Sequence, residues 1–546
     1  MADNEQTTDM WSKSAGEWWA NWLKMQSASM QAMSKGASLM TDSYAKMWSV
    51  ASGQRVKAKE GATPDPRFKD EAWDGNPAYG AMRDAYLIWQ KWALGLTDTW
   101  KGVNPDVHKR MEFWTSQITD ALSPSNYMWT NPVALREGIN TGGASLAKGM
   151  QNFVNDVSRG RLTQVPADAF TVGKDLAITP GKVVFKNDLI EIIQYTPTTE
   201  KVHEIPLLIM PPWLNKFYIL DMRPDNSMAK WLVDNGQTVF MMSWRNPDGA
   251  MKDYTWDDYM TDGPLAALDE VQKITGAKSI NMTGYCLGGI LLQSTLSYLT
   301  AIGQEKRVNS ATFFTTHQDF GDAGDVSVFI SEPEVRFLEQ LMDISGGYLD
   351  GRNMASTFNM LRSNDLIWSY VVNNYLLGKQ PPALDLLYWN SDGTRVPKTC
   401  HLHLLRNYFL KPNFSKPGYK LKGVPSNIHE IKTDTYTVAA NTDHIVPWRG
   451  AFHMREMVQS NVRFVLAESG HIAGVVNHPA AKKRGYWTND NPTTNPDEWF
   501  TSSARTAGSW WPDWLAWLEK RGGKMIAPPK MAEALYDAPG KYVLEK

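Results

Sequence analysis

From residue 189 onward the chain repeats one kind of segment: a short run rich in β-branched and aromatic residues. The runs are LIEIIQY (189–195), EIPLLIM (204–210), QTVFMMSW (237–244), SINMTGY (279–285), SATFFTT (310–316), DTYTVAA (434–440) and VRFVLAE (462–468). Several are apolar on both faces, as strands buried between two helical layers must be. Helical patterns separate them, notably over 264–275 and 288–300. The alternation predicts an α/β domain with a mostly parallel sheet. More than a hundred residues separate Thr316 from Asp434, far beyond an ordinary crossover. The expectation is an inserted cap over about 317–430.

The N-terminal third has a different texture. From Met10 to Trp48, residues Trp11, Ala15, Trp18, Trp22, Met25, Met33, Ala37, Met40, Tyr44 and Met47 recur mostly three or four apart, the period of an amphipathic helix. Its apolar face suits either the protein's own core or a partner or particle surface. Residues 53–73 are polar and proline-bearing and read as a linker, with helical stretches near 79–101 and 106–122. The expected division is a helical N-terminal domain over 1–167 and a catalytic domain over 168–546.

Composition excludes several classes. A net charge of -2, without a long basic block, gives no footprint for nucleic acid. Two cysteines are too few for a disulfide framework, and the acidic start MADNEQTTDM is unlike a secretory signal. These features point to the cytoplasm. No run of about 18 apolar residues is present, so no membrane span is expected. The 24 Trp and 26 Met suggest extensive apolar contact surface.

The chemistry concentrates where a strand ends in GYCLGG. Gly284 and Gly288 bracket Cys286 at the spacing of a G-x-S-x-G elbow, between a strand and a helix. Such a turn strains its central residue and brings backbone segments close, so glycines must flank it. It projects the sulfur near a helix N-terminus, whose partial positive charge favours a thiolate. In α/β-hydrolase sites the nucleophile is followed in chain order by an acid and a histidine, each on a loop past a strand. Asp443 in NTDHIVPW and His471 in ESGHIAG occupy such loops. The first oxyanion donor is then the amide of Leu287, and the second comes from MPPWLNKFYILD, at Trp213 or Leu214. Neighbouring groups fit less well. His444 would point away, and His478 lies on a polar loop. His401 and His403 would share one face of a strand without a third ligand for a metal. Cys400 lacks an elbow and reads as structural. No cofactor is called for.

These motifs together resemble the polyhydroxyalkanoate synthases, most closely the class I, single-polypeptide type. The resemblance runs from about Trp73 to the C-terminus through PPWLNKFYILD, SWRNPD (243–248), TWDDY (255–259), GYCLGG, NDLIWSYVVNNY (364–375), DLLYWN (385–390), DHIVPW, SGHIAGVVN and GSWWPDWLAWL (508–518). It implies an α/β-hydrolase fold with a mobile cap, and a helical N-terminal domain serving dimerisation and granule association. It also places the nucleophile on Cys286, the acid on Asp443 and the base on His471. The implied reaction polymerises (R)-3-hydroxyacyl-CoA, of short chain length, into polyester with release of CoA. The expected partners are the granule surface, granule-associated proteins and a second copy of the chain. Two positions depart from the family pattern: Trp213, often cysteine in relatives, and Tyr285, commonly Phe. Two readings compete: a cysteine α/β-hydrolase acting on a thioester or lactone, and a non-catalytic granule-associated protein.

Overall fold

The computed structural model describes residues 65–102 and 104–546, together with Thr41, Ala45 and Lys46. Apart from those three residues, the Trp/Met pattern of 10–48 lies outside the described residues. The chain divides into two units, one of residues up to Gln164 together with Phe358–Pro382, the other of Val165–Thr357 and Ala383–Lys546.

The first unit is helical. Its helices α1 (Pro77–Thr97), α2 (Pro105–Ala121) and α3 (Pro132–Asn140) share one start signal. Asn76, Asn104 and Asn131 each accept a hydrogen bond from the first turn, and proline follows at the first helical position. The asparagine satisfies an orphan amide while proline supplies the right φ and lacks the N–H that would be wasted there. Helix α4 (Ala144–Arg159) completes the set.

The described part of the expected linker belongs to this unit's core. Phe68 and Trp73 are buried with Tyr86, and the Phe68 and Trp73 rings meet edge to face at 4.8 Å. Arg67 holds the corner, donating to Asp65 at 2.7 Å, the Tyr86 hydroxyl at 2.8 Å and Asp120 at 3.2 Å. The polar, proline-bearing composition that suggests a linker here serves to cap and pin a turn.

Residues 358–382 join this unit through specific bonds. The Tyr375 hydroxyl donates to Asp156 at 2.7 Å, Asn374 to the Thr163 carbonyl at 2.8 Å and Gln164 to the Leu366 carbonyl at 2.6 Å. Gly149 of α4 lets the Tyr375 backbone approach so closely that an added Cβ would stand 2.7 Å from its carbonyl carbon.

The second unit is built on an eleven-stranded sheet. In chain order its strands are β1 (Gly181–Lys186), β2 (Ile190–Tyr195), β3 (Leu207–Met210), β4 (Val239–Trp244), β5 (Ile280–Tyr285), β6 (Val308–Phe314), β7 (Asp434–Ala440), β8 (Val462–Ala467), β9 (Gly485–Thr488), β10 (Ala504–Ala507) and β11 (Tyr536–Asp537). The spatial order is β10-β9-β8-β7-β6-β5-β3-β4-β2-β1-β11. The six strands from β8 to β4 are mutually parallel, and the flanking pairs are antiparallel. Strands β3, β4 and β5 are buried along their whole length, as strands covered on both faces are. Helices α5 (Ala266–Thr275) and α6 (Leu287–Ala301) are among those covering the sheet. This is the α/β-hydrolase fold.

Much of the tryptophan excess is core. Trp73, Trp213, Trp256, Trp499, Trp510, Trp511 and Trp514 are each under 2% exposed. Trp510 and Trp511 donate their indole N–H to the carbonyls of Gly474 and Val475 at 2.8 and 2.9 Å, so burial leaves neither donor unpaired. Among the described residues no helix is long and apolar enough to cross a membrane.

Candidate active site

Strand β5 ends at Tyr285, and the next residue, Cys286, has φ +52° and ψ -116° before α6 begins. Few side-chain-bearing residues adopt such a backbone, and its cost must be met by the surroundings. Here they are built to meet it. A Cβ on Gly284 would stand 2.7 Å from the Gly288 carbonyl oxygen, and one on Gly288 would stand 2.7 Å from that of Pro211. The Cys286 amide donates to the Phe314 carbonyl of β6 at 2.9 Å, and its own carbonyl accepts from Gly289 at 2.9 Å and Ile290 at 3.2 Å.

Past β7, the Asp443 carboxylate is fixed at both oxygens. Oδ1 accepts from the amides of Ile445 and Val446 at 2.8 and 2.9 Å, and Oδ2 lies 2.7 Å from Nδ1 of His471. The Asp443 side chain is wholly buried and that of His471 is 9% exposed. Burial alone would disfavour the imidazolium. The charge of Asp443, the charge of Cys286 and hydrogen bonds to both outweigh it, raising the His471 pKa well above its ordinary value. Side chains following β5, β7 and β8 thus make up a chain of sulfur, imidazole and carboxylate, of which the imidazole and carboxylate are hydrogen-bonded. Such a chain can generate a thiolate, hold the proton taken from it, and return that proton to a leaving group.

Leu287 opens α6 directly after the sulfur, and among the described residues no hydrogen bond engages its amide. Trp213 lies on the loop after β3, against whose first carbonyls the elbow is pressed. The Trp213 ring fills an aromatic cluster with Trp244, Trp256 and Tyr259 at 6.0, 5.6 and 5.4 Å. Its carbonyl accepts from the Thr394 hydroxyl at 2.6 Å. The ring of Tyr285 lies along that of His471, 5.8 Å between centroids.

The remaining candidates sit apart from this chain. His401 and His403 lie on a helix (Lys398–Leu404) where a strand was expected, because a proline ends the short extended run before them. Burial lowers the pKa of both. His478 packs against Trp511 at 5.4 Å. Cys400 is fully buried, which pushes its thiol pKa far up and leaves it inert. Among the described residues no three His, Cys, Asp or Glu side chains are placed to hold a metal.

One residue escaped the sequence reading. His317 follows β6 in TTHQDF and is 5% exposed. It lies in the electrostatic field of both Asp443 and His471. The signal that marks those two, a polar residue just past the C-terminal end of a central strand, marks His317 as well.

Residues 206–477 match the alpha/beta hydrolase fold family, and residues 64–232 match the family described as the poly-beta-hydroxybutyrate polymerase (PhaC) N-terminus. The chain is 43% identical over 486 residues to the poly(3-hydroxyalkanoate) polymerase subunit PhaC of Rhizobium meliloti (strain 1021), spanning 88% of this chain and 79% of the relative. It is 41% identical over 544 residues to the poly(3-hydroxyalkanoate) polymerase of Methylorubrum extorquens, spanning 96% and 88%. With the PhaC subunit of Cupriavidus necator it shares 40% identity over 515 residues, 92% of this chain and 87% of the relative. A match of this extent, over both units, places the chain in the poly(3-hydroxyalkanoate) polymerase family.

Proposed function

We propose that the chain polymerises short-chain (R)-3-hydroxyacyl-CoA into polyester through a thioester on Cys286. The observation that carries this reading is Cys286 on a strained elbow with its charge acting on His471, whose Nδ1 is held by Asp443 at 2.7 Å. His471 takes the thiol proton, and the sulfur attacks the carbonyl carbon of the substrate thioester. The amides of Leu287 and Trp213 receive the developing oxyanion. The C–S bond to CoA breaks, His471 returns the proton to the departing sulfur, and free CoA leaves.

Acyl transfer from one sulfur to another keeps the group activated, whereas a serine would hold it as a stable oxygen ester. The hydroxyl of the next monomer then gives its proton to His471 and attacks the acyl carbon on Cys286. An oxygen ester forms, the Cys286 sulfur is released, and the lengthened chain returns to Cys286 by the first step. Water would end chains by the same route, so the segments between β6 and β7 that stay with the sheet, 317–357 and 383–430, are proposed to act as a cap that excludes it.

The helical unit, about 1–167, is proposed to serve granule association and dimerisation, which would place the enzyme in the cytoplasm at the surface of its product. Support comes from exposed apolar residues spaced along one face of α4, Met150, Val154 and Val157, and along α2, Val107, Met111 and Ile118.

The test is an incubation with (R)-3-hydroxybutyryl-CoA. Stoichiometric CoA release with insoluble polymer supports the reading. CoA release with soluble 3-hydroxybutyrate alone would identify a hydrolase, and no release a non-catalytic protein.

A further inference from the structure

The loop after β3 runs beside the nucleophile elbow. The register of β3 on β5 sets Met210 opposite Gly284, so the loop leaves the sheet next to Cys286. A Cβ on Gly288 would stand 2.7 Å from the Pro211 carbonyl oxygen, and the Trp244 indole donates to that same carbonyl at 2.8 Å. One end of the loop is thus tied to the sheet.

The other end is tied to the segment 389–395, on the return limb of the cap. Asn215 and Gly393 form an isolated antiparallel bridge. Beside it Thr394 grips two successive carbonyls, donating its hydroxyl to that of Trp213 at 2.6 Å and its amide to that of Leu214 at 3.0 Å. The Trp389 indole donates to the Lys216 carbonyl at 2.7 Å. The buried Lys216 ammonium pairs with Asp392 at 2.9 Å, and the second oxygen of Asp392 accepts from the Tyr218 hydroxyl at 2.8 Å. Thr394 is 2% exposed and Trp213 1%, so solvent does not stand ready to replace the threonine hydroxyl on that carbonyl.

Peptide planarity carries the grip towards the elbow. In a trans peptide the carbonyl and the following N–H point in opposite directions, so holding the Trp213 carbonyl against Thr394 turns the Leu214 N–H away from the cap limb. The Trp213 N–H lies on the adjoining plane and shares the restraint. We propose that Thr394 is a positioning residue for acyl transfer: its hydroxyl sets the Trp213–Leu214 peptide so that an amide of this loop faces the oxyanion formed at Cys286. The inference rests on the reading above in which this loop supplies the second oxyanion donor. The cap limb then holds half of the oxyanion hole as well as excluding water. Such donors act only when preset in direction and distance, so a loosened loop slows the chemical step and leaves ground-state binding in place.

The experiment measures single-turnover acylation of Cys286 against (R)-3-hydroxybutyryl-CoA concentration in the wild-type chain, Thr394→Val and Thr394→Ser. Alkylation of the same sulfur by iodoacetamide is followed in parallel. Valine keeps the shape and removes the hydroxyl, and serine restores it. Alkylation forms no oxyanion, so it reports only the thiolate and the integrity of the elbow. The expected saturating acylation rate of Thr394→Val is about tenfold to a hundredfold below wild type. Its half-saturating concentration and alkylation rate should stay within about threefold of wild type, and serine should recover most of the lost rate. Acylation of Thr394→Val within about threefold of wild type overturns the proposal and leaves the polymerase reading standing. A parallel loss of alkylation also overturns it, because it marks the hydroxyl as merely structural. A wild-type chain that the ester does not acylate sinks the polymerase reading, and the proposal falls with it.

Discussion

Asp443 holds His471 at 2.7 Å through one carboxylate oxygen, while its other oxygen is fixed by the amides of Ile445 and Val446. The acid is therefore locked in orientation before any substrate arrives, and the imidazole inherits that lock. Asp443→Asn keeps the shape and removes the charge. CoA release should fall about 10²- to 10⁴-fold with little change in KM. A loss below about tenfold in a CoA-release assay would mean the carboxylate does not support His471.

The raised pKa of His471 also makes a statement about stability. A group whose folded-state pKa is raised stabilises the fold fully below its unfolded value, about 6.5 for histidine, and loses that contribution as pH rises through the raised value. Urea melts of the wild type and His471→Gln should therefore show a gap in unfolding free energy that is widest near pH 6 and closes at alkaline pH. A gap that is constant with pH would contradict the assignment.

Cys286 occupies a backbone conformation suited to glycine. Cys286→Gly and Cys286→Ala should both be inactive, yet differ in stability. The glycine variant should be the more stable by about 1 kcal/mol, since only alanine retains the strain at positive φ. Thermal melts of the two inactive proteins provide the comparison. Equal stability would mean that the elbow stores no strain.

Trp73 is 1% exposed and packs on Phe68. Trp73→Ala should destabilise the helical unit by about 3–5 kcal/mol, read as an earlier transition in denaturant. A true linker tryptophan would show no such effect.

The exposed face of α4 tests the granule assignment. Replacing Met150, Val154 and Val157 together with lysine should reduce the granule-bound fraction while leaving CoA release from soluble enzyme within about twofold. An unchanged bound fraction would remove α4 from that role.

The central strands and the elbow were legible in the sequence because their signals are local. A nearly continuous apolar run such as VFMMSW fits a doubly covered strand, and GYCLGG fits a strand turning sharply into a helix. What escaped the reading depends on distant partners. The short flanking strand Gly485–Thr488 is only partly buried and carries no continuous apolar run. The segment 65–73 looks polar because its charges are spent on caps and on Arg67, while its two aromatic residues find their core in α1. The pairing of 358–382 with the helical unit rests on side chains such as Asn374 and Tyr375, whose partners lie some two hundred residues away. The Asn-Pro dipeptides that begin α1, α2 and α3 were readable in principle and offered firmer boundaries than hydrophobic periodicity. His317 stands at the same kind of position as Asp443 and His471, just past a central strand, but a histidine next to glutamine there carries no motif, and its burial becomes visible only in the structure.

The most direct test is mass spectrometry of enzyme quenched during turnover with (R)-3-hydroxybutyryl-CoA. The account predicts hydroxybutyryl units on the peptide containing Cys286, labile to hydroxylamine as a thioester is, and neither that adduct nor polymer from Cys286→Ala. Polymer made by Cys286→Ala, or acyl groups attached at another residue, would contradict it.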